Sequence, residues 1–267
     1  MENRVCIFVD GENLRFTIKN LFSPKFFNHK EYMPIDTNWD QFFDNIAIKA
    51  LPDYRVKRIR TYWYVIDKVG FYPPLIHQNM KQSEKINWFA KNETYLNKTK
   101  KSFVEALQAC SNADEKETKL DKLSSDLIGL KGSVDSTHKS IRHKQDLIAK
   151  DNNAIEFCRS GEIQYNLLKR QYGKEKTVDV NLSLGMVLKA PIYDTAIIVS
   201  GDQDYVPAVQ QVKNLGKHVI NVSFQKIDGG LLPGGARKLN EVTDWSMQIS
   251  FQEFQTALSL EQKLPLS

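Results

Sequence analysis

The chain has 267 residues, of which 41% are hydrophobic, so it is long enough to bury one large core or one domain with an insertion. No apolar run approaches the roughly 18 to 20 residues that cross a bilayer, and the first residues lack a signal-peptide pattern, so we expect a cytoplasmic protein without membrane contact. The formal net charge of +5 mildly favours a polyanionic partner, and the three cysteines lack the count and spacing of disulfides or zinc sites.

The amino-terminal residues predict alternating strands and helices. The apolar run at 5–11 ends in Asp-Gly, which is typical of a buried parallel strand that stops at a loop, and a helix should follow at about 14–21. Residues 39–51 predict a second helix. The β-branched and aromatic residues of 54–67 predict the next strand.

The segment from about 78 to 160 is rich in Lys, Glu, Asp, Ser and Asn. Its apolar residues recur at about a 3.5-residue spacing, which predicts helices packed as a coiled coil or helical hairpin. These residues are Leu120, Leu123, Leu127, Leu130, Val134, Ile141 and Ile148. Gly129 and Gly132 interrupt the pattern, and because glycine costs up to about 1 kcal/mol inside a helix, we expect a break or turn there. The segment is either a solvated pair of surface helices or an arm that binds a protein partner or forms a homodimer. For such an arm, we expect residues 120–134 to present an exposed apolar stripe that favours association.

Strands and helices alternate again after this insertion. The predicted elements are a strand at 162–168, helices at 179–190 and 205–216, and strands at 195–201, 218–224 and 244–250. Such alternation predicts an α/β fold with a mostly parallel sheet covered by helices on both faces. The predicted domain therefore consists of 1–77 and 161–250, interrupted by the helical insertion at 78–160 and followed by a C-terminal tail at 251–267.

Acidic residues stand where predicted strands end. Asp10 ends the first strand, and Asp202 and Asp204 follow the strand at 195–201, so their carboxylates should meet in the crevice at the carboxyl edge of the sheet. Asp179, at the start of a helix, adds a fourth carboxylate. Unpaired carboxylates repel one another unless cations hold them together, and Mg²⁺ or Mn²⁺ suits such a cluster. Taken singly, Asp10 is also typical of a turn, and Asp179 and Asp204 of helix caps.

Three stretches resemble the motifs of NYN-domain proteins, a branch of the PIN-like ribonuclease superfamily. They are CIFVDGENL at 6–14, KTVDVNLSLGMV at 176–187 and TAIIVSGDQDYVPAVQQVKNLGKHV at 195–219. The resemblance covers about 1–75 and 155–250 and is specific in the order of its motifs. It implies a three-layer α/β/α sandwich with an acidic pocket that binds divalent metal and cleaves RNA.

The resemblance also implies roles for individual residues. The residues that match the acidic positions are Asp10, Asp179, Asp202 and Asp204. We expect these four to bind Mg²⁺ or Mn²⁺ and to act in catalysis, with Asp204 positioning the metal-activated water. Asn13 and Ser200 are expected to orient ligand or water, and Asn13 is equally typical of a helix cap. Basic residues near these loops are candidates for contact with RNA phosphates or, equally, for solvated surface positions, namely Arg15, Lys174, Lys176 and Arg237.

Three positions depart from the family pattern. Gly185 stands where many members carry another Asp, Thr177 where the family usually has Gly, and Tyr205 where Phe is common. Gly185 and the large insertion favour an alternative, a degenerate NYN fold that binds RNA or a protein and cleaves nothing. A phosphatase of the haloacid dehalogenase class is disfavoured, because position 12 is Glu12 and the late acidic pair is too closely spaced.

Overall fold

The computed structural model describes residues 2–22, 34–35, 37–75, 80–232 and 237–258. The chain divides into two units, which we call the large unit (1–67, 142–161 and 177–267) and the small unit (68–141 and 162–176). Among the described residues, no helix is both long enough and apolar enough to cross a membrane.

Strands and helices alternate along the described part of the chain. The strands are β1 (Glu2–Asp10), β2 (Arg55–Val65), β3 (Lys68–Tyr72), β4 (Ile155–Arg159), β5 (Glu162–Asn166), β6 (Gln171–Lys176), β7 (Thr195–Val199), β8 (His218–Gln225), β9 (Leu231–Leu232) and β10 (Trp245–Ile249). The helices are α1 (Gly11–Leu21), α2 (Trp39–Ala50), α3 (Gln82–Thr99), α4 (Lys101–Gln108), α5 (Ala113–Asp151), α6 (Val178–Leu188), α7 (Val206–Asn214), α8 (Arg237–Val242) and α9 (Phe251–Ala257).

The strands of the large unit form one sheet in the order β10-β8-β7-β1-β2-β4, and β9 pairs with β8. Every pair along this order is parallel, whereas β9 runs antiparallel to β8. From β1 the chain adds β2 and β4 on one side, and it later adds β7, β8 and β10 on the other. The order therefore reverses between β1 and β7, and in open parallel sheets a ligand crevice forms at the carboxyl ends of such strands.

Helices bury both faces of this sheet. Val5, Ile7 and Val9 of β1 lie in one apolar core with side chains of α1, α2 and α9. Cys6 and Phe8 lie in a second core with side chains of α6, α7 and α8. Successive side chains of a strand point to opposite faces, so a continuous apolar run supplies two cores at once. The predicted three-layer α/β/α sandwich with a mostly parallel sheet is therefore confirmed.

The small unit has its own sheet and its own core. β5 pairs with β3 in parallel and with β6 in antiparallel orientation, in the order β3-β5-β6. The core buries Trp88, Leu96, Val104, Leu123, Leu127, Val134 and Tyr165, and Leu130 packs against it. The apolar stripe is thus covered within this unit at Leu123, Leu127, Leu130 and Val134, and it is not the exposed face that we expected a partner to use. Association through the insertion stays a prediction without that support.

Helix α5 is continuous through Gly129 and Gly132, where the sequence indicated a break or turn. Apart from the helix backbone and chain neighbours, nothing lies within 4 Å of a Cβ built at either glycine. Leu127 is buried in the core and Leu130 packs against it. Burial of such side chains is worth about 1.5–3 kcal/mol each, which exceeds the cost of a helical glycine.

The units have other boundaries than those predicted from composition. β4 lies in the predicted insertion but pairs with β2 in the large unit, whereas β5 was predicted for the main sheet and belongs to the small unit. α9 lies in the predicted tail, yet Phe254 is fully buried in a core of the large unit. Composition shows where polar residues accumulate and carries no information about which strands pair.

Candidate active site

Asp10 lies at the carboxyl end of β1, directly before α1. Its side chain is 2% exposed and caps the helix, because Oδ1 accepts a hydrogen bond from the backbone N–H of Asn13 at 3.0 Å. The Oδ2 atom accepts three more, from Asn13 Nδ2 at 2.6 Å, Ser200 Oγ at 3.1 Å and the Tyr205 hydroxyl at 3.0 Å. Asp10 therefore combines a helix cap with the centre of a polar network.

Ser200 connects Asp10 with the loop after β7. Its Oγ donates to Asp10 and accepts from the backbone N–H of Asp202 at 3.1 Å. Asp202 Oδ1 accepts from the backbone N–H of Asp204 at 2.9 Å and so caps a short 3₁₀ turn at 203–205. Ser200 and Asn13 thus contact the carboxyl side chain of Asp10, and their expected role in orienting ligand or water stays a prediction.

Asp179, Asp202 and Asp204 bring three carboxylates together. One oxygen of each lies within 4.8 Å of the others, and Asp204 is exposed while the other two are half-buried. Asp179 comes from the first turn of α6, and the other two come from the segment between β7 and α7. Three carboxylate oxygens open to solvent suit Mg²⁺ or Mn²⁺, which prefer hard oxygen ligands and keep several waters. Among the described residues this group does not include Asp10.

The hydroxyl of Tyr205 lies between Asp10 and Asp179. The side chain is fully buried, and the hydroxyl oxygen is 3.0 Å from Asp10 Oδ2 and 2.9 Å from Asp179 Oδ1. Tyr205 was not among the site residues predicted from the sequence. The signal that could have located it is its departure from the usual Phe, because a buried hydroxyl needs a hydrogen-bond partner.

Burial raises the pKa of two site carboxyls. It raises the pKa of Asp10 despite the hydrogen bonds that the carboxylate accepts. Burial also raises the pKa of Asp179. The hydrogen bond from Tyr205 lowers this pKa, and the negative charges of the neighbouring site carboxylates raise it. Burial and these carboxylates raise the pKa of Tyr205 as well, so its hydroxyl remains protonated at neutral pH. Since a cation competes with protons for such oxygens, we expect metal binding to weaken as the pH falls.

Gly185 makes room for the ring of Tyr64. A Cβ at position 185 would lie 1.8 Å from the Tyr64 hydroxyl oxygen and 2.8 Å from Cζ. Tyr64 is 3% exposed and is the register partner of Asp10 where β2 pairs with β1. Tyr64 therefore occupies the space that an Asp side chain at position 185 would need.

Gly185→Ala is expected to lower the free energy of unfolding by about 1–3 kcal/mol, the usual cost of overpacking a core. Replacement of a helical glycine by alanine otherwise stabilises by up to about 1 kcal/mol. Gly132→Ala in α5 is the matched control, because nothing outside the helix blocks its Cβ. Urea denaturation of both variants measures the difference, and a stabilised Gly185→Ala protein would contradict the close contact with Tyr64.

Thr177 precedes α6 with a φ of 80°. This left-handed conformation is unfavourable for a β-branched residue and easily adopted by glycine. The Thr177 carbonyl accepts hydrogen bonds from the backbone and side-chain nitrogens of Asn181 at 3.0 and 2.8 Å. These bonds hold the first turn of the helix that carries Asp179.

The four basic candidates are divided between the two units. Arg15 pairs with Glu12 on α1, and Arg237, 90% exposed, pairs with Glu241 on α8 at 2.9 Å. The other two, Lys174 and Lys176, are exposed on β6 of the small unit. Contact of any of the four with RNA stays a prediction.

Comparison with known proteins gives a family match. No curated protein matches the chain. A solved structure, that of a protein of unknown function from Vibrio parahaemolyticus, is 15% identical with a TM-score of 0.41, over 92% of this chain and 93% of that one. A family model described as the NYN domain matches residues 4–231. Because this match spans most of the chain, the protein belongs to the NYN-domain family of the PIN-like nuclease superfamily.

Proposed function

We propose that the protein is a metal-dependent ribonuclease that cleaves RNA phosphodiester bonds by attack of an activated water. The observation that carries this proposal is the group of three carboxylates within 4.8 Å of one another, two of which follow β7, where the strand order reverses. The nuclease-like fold of the family supports it, because NYN domains are generally ribonucleases. The same family match argues against a haloacid-dehalogenase phosphatase.

The site residues have distinct roles in this proposal. When bound, a divalent cation such as Mg²⁺ or Mn²⁺ supplies Lewis acidity, which lowers the pKa of water and offsets charge on the scissile phosphate. Asp179 and Asp202 hold the cation, since both are half-buried. Asp204 is exposed, so it orients the attacking water and accepts its proton. Asp10 keeps this group in place through Ser200 and Tyr205.

The distribution of charge supports a polyanionic substrate. The small unit has 16 Lys and Arg against 11 Asp and Glu, whereas the large unit has 21 of each, which together make up the 37 and 32 of the whole chain. The net charge of +5 therefore belongs entirely to the small unit. A basic unit in the same chain as an acidic nuclease site is suited to binding the backbone of RNA, because phosphate contacts supply most of the nonspecific affinity.

Lys174→Gln combined with Lys176→Gln is expected to weaken binding of single-stranded RNA. Each lost phosphate contact should reduce the slope of log affinity against log salt by about 0.7. Fluorescence anisotropy with labelled RNA at several salt concentrations measures both quantities. Lys116→Gln combined with Lys139→Gln is the matched control, since it removes the same charge from exposed positions on α5. Equal effects of the two pairs would show that only the overall charge matters.

A second candidate is an NYN fold that binds RNA without cleaving it. Gly185 favours this candidate, because Tyr64 fills the place where many relatives have a further carboxylate. A smaller ligand set binds a cation less tightly and can leave RNA binding intact while cleavage is lost. The two candidates differ in one observable, the appearance of products.

The test is incubation of the purified protein with end-labelled single-stranded RNA in the presence of Mn²⁺ or of a chelator. The proposed function predicts products only with Mn²⁺, and the attack of water predicts that their ends are plain phosphate and hydroxyl groups. Bound but intact RNA would favour the second candidate. Products with a 2′,3′-cyclic phosphate would show that the ribose 2′-hydroxyl, and not water, is the nucleophile.

A further inference from the structure

The carboxylate of Asp10 is surrounded by donors from the protein. Oδ1 accepts one hydrogen bond, and Oδ2 has three donors within hydrogen-bond distance. Each carboxylate oxygen offers about two lone-pair sites, so a cation can bind Oδ2 only by displacing one of its donors. The side chain is also 2% exposed, which leaves a hydrated ion little access to it.

Tyr205 is the donor that links Asp10 to the group of three carboxylates. Its hydroxyl lies within hydrogen-bond distance of both Asp10 Oδ2 and Asp179 Oδ1, and it has a single proton to share between them. It therefore occupies the place between two carboxylates where a bridging cation could otherwise lie. A phenylalanine at this position would leave both oxygens without this donor.

We propose that Tyr205 determines which carboxylates bind the cation. By donating to Asp10 and Asp179, it makes Asp10 a positioning residue and leaves Asp179 and Asp202 to hold the cation, with Asp204 beside them to orient the water. Asp10 acts on these residues indirectly, through Tyr205 toward Asp179 and through Ser200 toward the backbone of Asp202. The inference rests on the metal site of the proposed function, but not on cleavage of RNA.

Tyr205→Phe should change the role of Asp10. Without the hydroxyl, Asp10 Oδ2 and Asp179 Oδ1 each lose a donor, and their mutual repulsion is no longer relieved by the protein. A cation then gains from contact with both oxygens, so Asp10 becomes a ligand in the variant. The negative charge of Asp10 attracts the cation both in the unaltered protein and in Tyr205→Phe. The two proteins differ only in whether Asp10 coordinates the cation directly.

The experiment is a double-mutant cycle with Mn²⁺ binding as the readout. Affinity for Mn²⁺ alone is measured by the electron paramagnetic resonance of the free ion in four proteins: the unaltered protein, Tyr205→Phe, Asp10→Asn and the double variant. Circular dichroism verifies that each is folded. Tyr193→Phe is the matched control, because it removes a buried hydroxyl that donates to the Met186 carbonyl and not to the site.

We expect Asp10→Asn to reduce Mn²⁺ affinity at least about tenfold more in the Tyr205→Phe background than in the unaltered protein. The loss of charge is common to both backgrounds and cancels in the cycle, so this excess reports coordination. Tyr193→Phe should leave the affinity unchanged. Equal losses in the two backgrounds would overturn the inference and leave the proposed function standing. Absence of Mn²⁺ binding in all four proteins would overturn both.

Discussion

Asp202→Asn is expected to lower the rate of RNA cleavage by about a thousandfold or more, the scale of loss when a core member of a catalytic group is removed. The amide oxygen of Asn can still accept the hydrogen bond that Asp202 receives from the backbone N–H of Asp204 at 2.9 Å. The 3₁₀ turn therefore keeps its cap, and the free energy of unfolding should change by less than about 1 kcal/mol. The substitution thus removes a negative charge and a metal ligand with little change in structure.

The measurement compares initial rates of cleavage and urea denaturation for Asp202→Asn and for Asp53→Asn. Asp53 is an exposed residue in the turn before β2, and its substitution should leave both quantities unchanged. Asp179→Asn should behave like Asp202→Asn, since it removes another member of the carboxylate group. Full activity of either site variant would contradict the assignment of these carboxylates to catalysis.

Arg58→Met is expected to lower the free energy of unfolding by about 1–3 kcal/mol, because the Thr61 hydroxyl and the Ala154 carbonyl each lose a hydrogen-bond donor and two carboxylates lose their cation. The Arg58 side chain is 3% exposed and pairs with Asp40 and Asp44 on α2 at 2.6 Å each. It also donates to Thr61 Oγ1 at 3.0 Å and to the Ala154 carbonyl at 3.2 Å. One guanidinium thus connects α2, β2 and the residue before β4.

The matched control for this prediction is Arg60→Met on the same strand. Arg60 pairs with Glu156 at 3.1 Å, but its side chain is 43% exposed, and exposed pairs contribute about 0–1 kcal/mol. Urea denaturation followed by circular dichroism measures the free energy of unfolding of both variants. An unchanged m-value shows that unfolding exposes the same amount of surface as in the unaltered protein. Similar small losses for the two would indicate that the Arg58 pairs are no stronger than surface pairs.

The sheet of the large unit was predictable because its signals are local. β1 contains the apolar run 5–9 and β7 the apolar run 196–199, and each run is followed by acidic residues and a helix. The placement of Asp10, Asp202 and Asp204 at one edge follows from the rule that the carboxyl ends of parallel strands lie together. The three-layer sandwich and the meeting of Asp179 with the late pair could therefore be predicted without coordinates.

The contacts that distinguish this site from the family pattern could not be predicted in the same way. Gly185 and Tyr64 meet across the sheet and helix layers, although they are far apart in sequence. The Tyr205 hydroxyl contacts Asp10 and Asp179 for the same reason, which is that tertiary packing brings distant residues together. An unusual residue in a family motif indicates that the local structure differs there. It does not identify the distant residue that contacts it in the fold.

The insertion shows a second limit of the sequence. The spacing of Leu123, Leu127 and Leu130 correctly indicates a helix with an apolar face, and this face lies in or against the core of the small unit. Periodicity does not specify what covers a face, so the expected exposed stripe was an extrapolation. In the same way, β4 and β5 are separated by only a few residues but pair in different sheets. The sheet that a strand joins depends on which other strands lie beside it, and composition does not specify those strands.

RNA cleavage after removal and return of the cation would show whether the carboxylate group is the metal site of a ribonuclease. The protein is dialysed against a chelator, and cleavage of labelled single-stranded RNA is followed as Mn²⁺ is added back. The account predicts no cleavage in the dialysed protein and recovery that follows Mn²⁺ occupancy, with no recovery in Asp202→Asn. Cleavage that survives dialysis against the chelator, or that returns equally in Asp202→Asn, would contradict a metal-dependent ribonuclease built on these carboxylates.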